Sequence, residues 1–163
     1  MLLHFDKTSV PMKLVYQHSE ELKNDPEQIA LTQALTLNPA KPLLGLKGTY
    51  GLYGSTEWWA NIEQRKMPLL FVSGIVRRAY VAGQDGGDEN NSVDLLLTDS
   101  SMRSVGIYVN DKADIQLFRV GCQVELVYAM DEMKKQPAPD GNINYLEIAL
   151  EMAVSLEPVT TFA

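Results

Sequence analysis

The sequence predicts a mainly β protein of the α+β class, built around a small closed β-barrel of five strands. Two features of the chain support this prediction. From Leu69 onward, apolar residues recur at every second position, which is typical of strands with one face in a core. Before Leu69 the alternation is short, and prolines, glycines and helix-capping residues are frequent. We therefore expect a helical and loop extension over residues 1–68, a barrel over residues 69–158 and a tail over residues 159–163.

One or two short helices are expected in the extension. Asp25 is placed to cap a first helix, with Pro26 at its first helical position. Ser55 or Thr56 is placed to cap a second helix that ends near Lys66. The stretch between the two helices has too many prolines and glycines for regular structure. It is nevertheless apolar, so we expect it to pack against another part of the protein.

The barrel strands are predicted from the rows of apolar residues that would face the core. A short β-like piece at residues 14–16 precedes them in the extension. Asp111 is placed to cap a helical turn between the third and fourth strands. On the last strand, the face opposite the apolar row is expected to be largely solvated. The five rows are Leu70, Val72, Gly74 and Val76; Val93, Leu95 and Leu97; Val105, Ile107 and Val109; Val124, Leu126, Tyr128 and Met130; and Leu146, Ile148, Leu150, Met152, Val154 and Leu156.

The order of these elements resembles that of an oligonucleotide/oligosaccharide-binding (OB) fold. Three strands are followed by a helical turn, by the step Val-Gly-Cys-Gln-Val-Glu-Leu at residues 120–126, and by a last strand. The resemblance covers about 90 residues and implies a five-stranded Greek-key barrel. An SH3-like barrel or a short sandwich would also show five strands. The helical turn between strands three and four favours the OB fold.

A second resemblance is local. Residues 51–59 read Gly-Leu-Tyr-Gly-Ser-Thr-Glu-Trp-Trp. This run resembles a stretch of uncharacterised bacterial proteins in which a Gly-Leu-aromatic-Gly-Ser element precedes a Trp-Trp helix and a barrel. The resemblance implies a bacterial protein with this order of elements, and it implies no particular function.

Length and composition predict one main core, and the single cysteine is typical of a protein in a reducing compartment. A chain of 163 residues with 45% apolar content can bury one sound core but not two full-sized ones. The single cysteine, Cys122, lies beside an alternating apolar run, where a small half-buried thiol needs no redox role. Charged residues interrupt the first ten positions, and no stretch approaches the ~18 consecutive apolar residues of a membrane span. We therefore expect a cytoplasmic protein without a disulfide or a membrane association.

The charge of the chain is acidic and unevenly distributed. The formal net charge is −7. Residues 1–68 carry 7 basic and 7 acidic side chains, whereas residues 69–163 carry 7 basic and 14 acidic ones. Nucleic-acid binding draws much of its affinity from clustered lysines and arginines that displace phosphate counterions. The excess of acid in the predicted barrel therefore favours a protein partner over a nucleic acid.

Few residues suggest catalysis or metal binding. His4 and His18 lie far in sequence from Cys122, so no nucleophile and base stand together in the chain. The acidic run Asp85, Asp88 and Glu89 belongs to a polar turn at residues 84–91 whose spacing fails the EF-hand pattern. The glycines of residues 45–54 are followed by no Gly-Lys-Ser/Thr step of a phosphate loop. We therefore expect no enzyme, no metal and no cofactor.

Binding of single-stranded nucleic acid is the alternative to a protein partner. The exposed face of strands two and three would offer one aromatic residue, Tyr108, and no lysine, which is a poor platform for stacking bases. A nucleic acid would instead use Arg77 and Arg78 in the first strand together with the aromatics before the barrel. A solvated or salt-bridged strand edge explains the two arginines as well.

The densest aromatic cluster is formed by Tyr50, Tyr53, Trp58 and Trp59. Tryptophan and tyrosine often anchor protein interfaces. Adjacent tryptophans on a helix point about 100° apart, so one of the pair is expected to pack inward while the other is half exposed. The cluster therefore serves either as packing for the helix or as a binding site. We predict a non-enzymatic binding module, an inhibitor or immunity-like protein with a basic protein partner; its oligomeric state cannot be read from the sequence.

Overall fold

The computed structural model describes residues 1–4, 10–83 and 87–162. Within these residues the fold is mainly β, with six strands and a few short helices. In chain order the elements are β1 (Met12–Gln17), α1 (His18–Lys23), α2 (Pro26–Leu37), α3 (Thr56–Glu63), β2 (Leu69–Tyr80), β3 (Ser92–Leu97), β4 (Met102–Gly106), a 3₁₀ helix (Lys112–Leu117), β5 (Gln123–Glu132) and β6 (Tyr145–Ser155).

The six strands form one antiparallel sheet in the order β1-β6-β5-β2-β3-β4. The closed five-stranded barrel predicted from the sequence is wrong, because the sheet ends at β1 and β4 and is not closed. The short β-like piece of the extension is a full strand, which pairs with β6 from Met12 opposite Ser155 to Gln17 opposite Glu151. In a closed barrel, the free edge of β6 would pair with another barrel strand. Here β1 pairs with that edge. The OB fold stays a resemblance.

The helix caps predicted from the sequence are confirmed. The Asp25 carboxylate accepts a hydrogen bond from the Gln28 amide at 3.1 Å at the start of α2. The Ser55 hydroxyl accepts one from the Trp58 amide at 3.2 Å at the start of α3. Asp111 caps the 3₁₀ helix in the same way, through the Ala113 amide at 2.9 Å. Each cap satisfies an amide that the first turn of a helix leaves without a partner.

The last strand is buried on both faces over residues 149–155, so the expected solvated face is wrong there. Glu151 lies on that face and is 7% exposed. Its carboxylate accepts hydrogen bonds of 2.9 Å from the amides of Leu2 and Leu3. The first residues of the chain thus contact a face that period-two reasoning assigned to water. Their backbone amides supply the partners that a buried carboxylate requires.

The chain divides into two compact units. Unit 1 comprises residues 1–17, 71–127 and 149–163, and unit 2 comprises residues 18–70 and 128–148. The core of unit 1 is formed mainly by strand residues, among them Val72, Val76, Val93, Leu95, Val124, Leu126, Leu150, Met152 and Val154. The core of unit 2 is formed mainly by helix and loop residues, among them Leu22, Leu46, Tyr53, Trp58, Ile62 and Met67.

Candidate protein-binding site

Helix α2 of unit 2 has no fully buried residue, although Ile29 and Leu35 are half-buried. Leu31 and Leu37 are 64% and 65% exposed. A surface helix of a soluble protein normally turns an apolar stripe into the core and leaves polar residues outside. Exposed leucines on a helix of this kind are therefore available to another molecule.

The apolar exposure continues beyond the end of α2. Leu43 and Leu44 follow in the loop and are each more than half exposed, so the expectation that this loop packs down is wrong at these two positions. Leu46, in contrast, is buried. We refer to residues 31–44, with the exposed side chains Leu31, Leu37, Leu43 and Leu44, as the leucine segment. Apolar side chains exposed together at this density are typical of interaction sites.

One lysine fixes the leucine segment to the rest of unit 2. The Lys134 ammonium donates hydrogen bonds to the carbonyl oxygens of Leu35 at 2.6 Å, Lys41 at 2.9 Å and Asn38 at 3.5 Å. The last carbonyls of a helix have no partner within the helix and carry partial negative charge. The positive charge of Lys134 therefore stabilises the end of α2 and holds the following turn against it.

A groove of about 320 Å³ runs along one flank of α2 within unit 2. Its far wall includes Met133, and Leu46 contributes a buried side chain to its lining. Gly45 has a φ of +85°, and a β-carbon there would lie 2.8 Å from the Leu35 side chain. Glycine is thus required at this point for backbone conformation and for space. The lining residues are Leu31, Thr32, Leu35, Gly45, Leu46, Met133 and Leu146.

A second feature of unit 2 is a buried hydrogen bond between α3 and β5. Trp58 is fully buried, and its indole N–H donates to Oδ2 of Asp131 at 2.9 Å. Asp131 is 1% exposed, and its Oδ1 has no hydrogen-bond partner among the described residues. Burial raises the pKa of this carboxyl, and the Trp58 hydrogen bond opposes that shift. From the sequence, Asp131 is merely an acidic residue of a loop; in the structure it belongs to the core.

His18 extends this buried cluster. The Nε2 atom of His18 lies 2.7 Å from the Tyr53 hydroxyl, and the two rings meet nearly edge to face. The centre of the Trp58 ring lies 5.1 Å from the centre of the Tyr53 ring and 4.9 Å from that of the Trp59 ring. Burial lowers the pKa of His18 to about 4 and raises that of Tyr53 to about 12, so both side chains are neutral at pH 7. The four rings of this cluster are therefore uncharged at pH 7.

The aromatic residues predicted as a binding site lie in different environments. Trp58 and Tyr53 are buried. Trp59 and Tyr50 are half-buried, and Trp59 packs perpendicular to Trp58. The Tyr50 carbonyl accepts a hydrogen bond of 2.9 Å from the Asn61 side chain. Burial, followed by the nearby Glu132 charge, raises the pKa of Tyr50. Trp59 and Tyr50 are the two members of this cluster that a partner can still touch.

The other predicted site residues belong to unit 1, and each has a partner within the protein. The Arg77 guanidinium lies 4.1 Å from the centre of the Phe162 ring. Arg78 lies 4.0 Å from the Tyr80 ring centre and pairs with Asp94 at 3.2 Å. Tyr108 is half-buried, with its ring centre 5.8 Å from that of Tyr16. Arg77 and Arg78 nevertheless keep exposed side chains.

Grouped metal ligands and membrane-spanning helices are not found among the described residues. In the described ranges, no three histidine, cysteine, aspartate or glutamate side chains are grouped so that they could hold a metal ion. Asp85 of the acidic turn lies outside those ranges. Cys122 is fully buried in unit 1. The same ranges include no helix that is both long and apolar enough to cross a membrane.

The acidic charge and the exposed leucine segment together define a protein that binds other proteins. The family model described as Immunity protein RhsI2 matches residues 12–155, which is most of the chain. The chain belongs to the RhsI2 immunity protein family. Its partner is accordingly a protein, the toxin. This confirms the protein partner that the sequence analysis predicted. A comparison with curated proteins gives no match.

Replacing Trp58 by phenylalanine removes the donor to Asp131 and leaves a buried carboxylate poorly compensated. We expect Trp58→Phe to lower the free energy of unfolding by about 2–4 kcal/mol, measured by urea denaturation. The double variant Trp58→Phe/Asp131→Leu is expected to regain part of this loss, because both partners are then apolar. Trp59→Phe is the matched control, with an expected loss of about 1 kcal/mol. Asp131→Leu is also measured alone. If the losses of the two single variants, Trp58→Phe and Asp131→Leu, add up to the loss of the double variant, the hydrogen bond contributes nothing.

The stability of the protein should depend on pH through His18. The folded pKa is about 4 against an ordinary value of 6.5, so the unfolded chain takes up a proton first as the pH falls. We expect the free energy of unfolding to decrease between pH 6.5 and pH 4, by up to about 1.4 kcal/mol per pH unit. His18→Gln should flatten this dependence, whereas the same change at the exposed His4 should not. Equal slopes in all three proteins would contradict the assignment. Thermal unfolding at a series of pH values measures them.

Proposed function

We propose that this protein protects cells by binding a toxin in the cytoplasm and blocking it stoichiometrically, without catalysing a reaction. The match to the RhsI2 immunity family over residues 12–155 carries this proposal. An immunity protein can act either by consuming what a toxin makes or by occupying the toxin itself. Occupation is favoured, because the described residues present exposed apolar side chains, and no three of their histidine, cysteine, aspartate or glutamate side chains are grouped to hold a metal ion.

The charge of the chain indicates the kind of toxin surface that it meets. A net charge of −7 on 163 residues attracts a basic partner and repels an acidic one. Complementary fields of this kind accelerate encounter and fix orientation more than they add affinity. We therefore propose a toxin domain whose binding face is basic.

The leucine segment is the surface that we propose for the contact. Affinity in protein interfaces is concentrated in a few well-buried apolar and aromatic side chains, with a polar rim around them. Leu31, Leu37, Leu43 and Leu44 supply such side chains. Trp59 and Tyr50 belong to the same unit and retain exposed surface, so we include them in the proposed interface.

A titration distinguishes stoichiometric inhibition from other modes. The test uses the toxin domain whose effect on growth the wild-type protein suppresses. Toxin activity is expected to fall linearly with added protein and to vanish at a one-to-one ratio. The association rate constant, measured by stopped flow, is expected to drop by about tenfold or more between about 20 mM and about 500 mM salt. Complete inhibition by a small fraction of an equivalent would indicate catalysis, and binding of single-stranded DNA or RNA in place of the toxin would favour the nucleic-acid alternative.

Substitutions in the leucine segment test where the toxin binds. The triple variant Leu37→Ser, Leu43→Ser, Leu44→Ser is expected to weaken toxin binding by about 100-fold, because each leucine would otherwise be buried in the complex. A matched triple variant in unit 1, Phe71→Ser, Met102→Ser, Val120→Ser, also replaces residues that are each more than half exposed. It is expected to bind within about threefold of the wild type, measured by calorimetry. Equal losses in both variants would refute this location.

A further inference from the structure

We propose that the groove beside α2 receives one large apolar side chain of the toxin, and that this side chain anchors the complex. This inference rests on the proposed function and names the part of the leucine segment that recognises the partner. Five of the seven lining residues are leucine or methionine, and the other two are Thr32 and Gly45. No charged side chain lines the groove, so it favours an apolar occupant over an ion or a sugar.

The size of the groove fits a side chain better than a helix or a cofactor. Its volume of about 320 Å³ is at the lower limit of the ~300–1,000 Å³ that small-molecule pockets occupy. Leucine, phenylalanine, methionine and tryptophan side chains are the groups that fill such recesses at the centre of protein interfaces.

The groove is also held in shape before any partner arrives. Gly45 leaves room beside Leu35 that any other residue would fill, and Lys134 fixes the end of α2 through three carbonyl oxygens. Leu31 and Leu146 lie at the rim, because they line the groove and are 64% and 42% exposed. Binding to a preformed recess loses less conformational entropy than binding to a surface that must first be ordered.

Charge around the groove agrees with a basic partner. Glu27 lies one helical turn before Leu31, on the same side of α2, and is exposed. The Lys134 ammonium points at backbone carbonyls of the α2 end, and Lys47 lies 3.8 Å from the Glu132 carboxylate. An apolar side chain flanked by lysine or arginine in the toxin therefore meets a carboxylate next to its recess, in agreement with the net charge of −7.

Filling the groove from within tests this proposal. Thr32→Phe places an aromatic ring in the recess, whereas Thr32→Val keeps the size of the side chain and removes only the hydroxyl. Phenylalanine and valine have similar helix propensities, and the hydrogen bond from Thr36 reaches the backbone carbonyl of residue 32 in either variant. Toxin affinity is expected to fall by about tenfold or more for Thr32→Phe and to stay within about threefold for Thr32→Val. Thermal unfolding checks that both variants fold.

Methyl NMR of the wild-type protein gives a second readout that needs no substitution. With methionine methyl groups labelled with ¹³C, the Met133 resonance is expected to shift when the toxin saturates the protein, while that of the exposed Met102 in unit 1 stays unchanged. Wild-type affinity in a folded Thr32→Phe variant, or an unmoved Met133 resonance in the saturated complex, would overturn the proposal. A wild-type protein that binds and suppresses no toxin would instead refute the proposed function.

Discussion

The C-terminal end of α2 is held by one amine, that of Lys134, and the Gln33 side chain joins the helix to the Tyr53 carbonyl. A helix with no buried residue gains little from the hydrophobic effect, and propensity alone seldom holds a helix of 12 residues in water. Lys134 adds hydrogen bonds to the carbonyls of Leu35, Asn38 and Lys41, each of which also accepts a hydrogen bond from a backbone amide. The end of α2 and the following turn are therefore ordered, although Leu31, Leu37, Leu43 and Leu44 are exposed.

The core of unit 2 is organised by polar contacts as well as by packing. Trp58 donates to Asp131, and the His18 ring contacts the Tyr53 hydroxyl. The buried Asp131 carboxylate, with one unpaired oxygen, reduces stability. Its other oxygen is satisfied only when the Trp58 indole N–H lies next to it. We infer that this requirement fixes the orientation of α3 on β5, which a purely apolar contact between them would specify less strictly.

Much of the local structure was predictable from the sequence, because its signals are local. Asp25, Ser55 and Asp111 cap the elements that they were expected to cap, since a capping side chain acts within three residues of its own position. The strands of residues 69–155 were likewise visible as apolar alternation, but the third row was placed too late, because β4 ends at Gly106 and Ile107 and Val109 lie beyond it. The closed barrel was not a sound prediction, because the pairing of β1 with β6 joins residues more than 130 positions apart.

The candidate site was harder to predict than the fold. Alternation cannot show that residues 149–155 are covered on both faces, since the covering segment lies at the other end of the chain. The spacing of Leu31 and Leu35 predicts an amphipathic helix, and an amphipathic helix is normally read as buried. The groove combines α2, the loop at Gly45 and residues near Met133 and Leu146, three parts of the chain that no motif connects. Leu43 and Leu44, between Pro42 and Gly45, lie in a stretch that was expected from its apolar content to pack down, and they are exposed.

The exposure of α2 has an evolutionary consequence. Substitutions in a core change stability and function together, whereas the exposed side chains of α2 contribute little to core packing. Such positions can diversify one at a time as a toxin changes, while Lys134 and Gly45 keep the backbone where it is. A lineage could thus acquire a new specificity through neutral intermediates, each as stably folded as its ancestor.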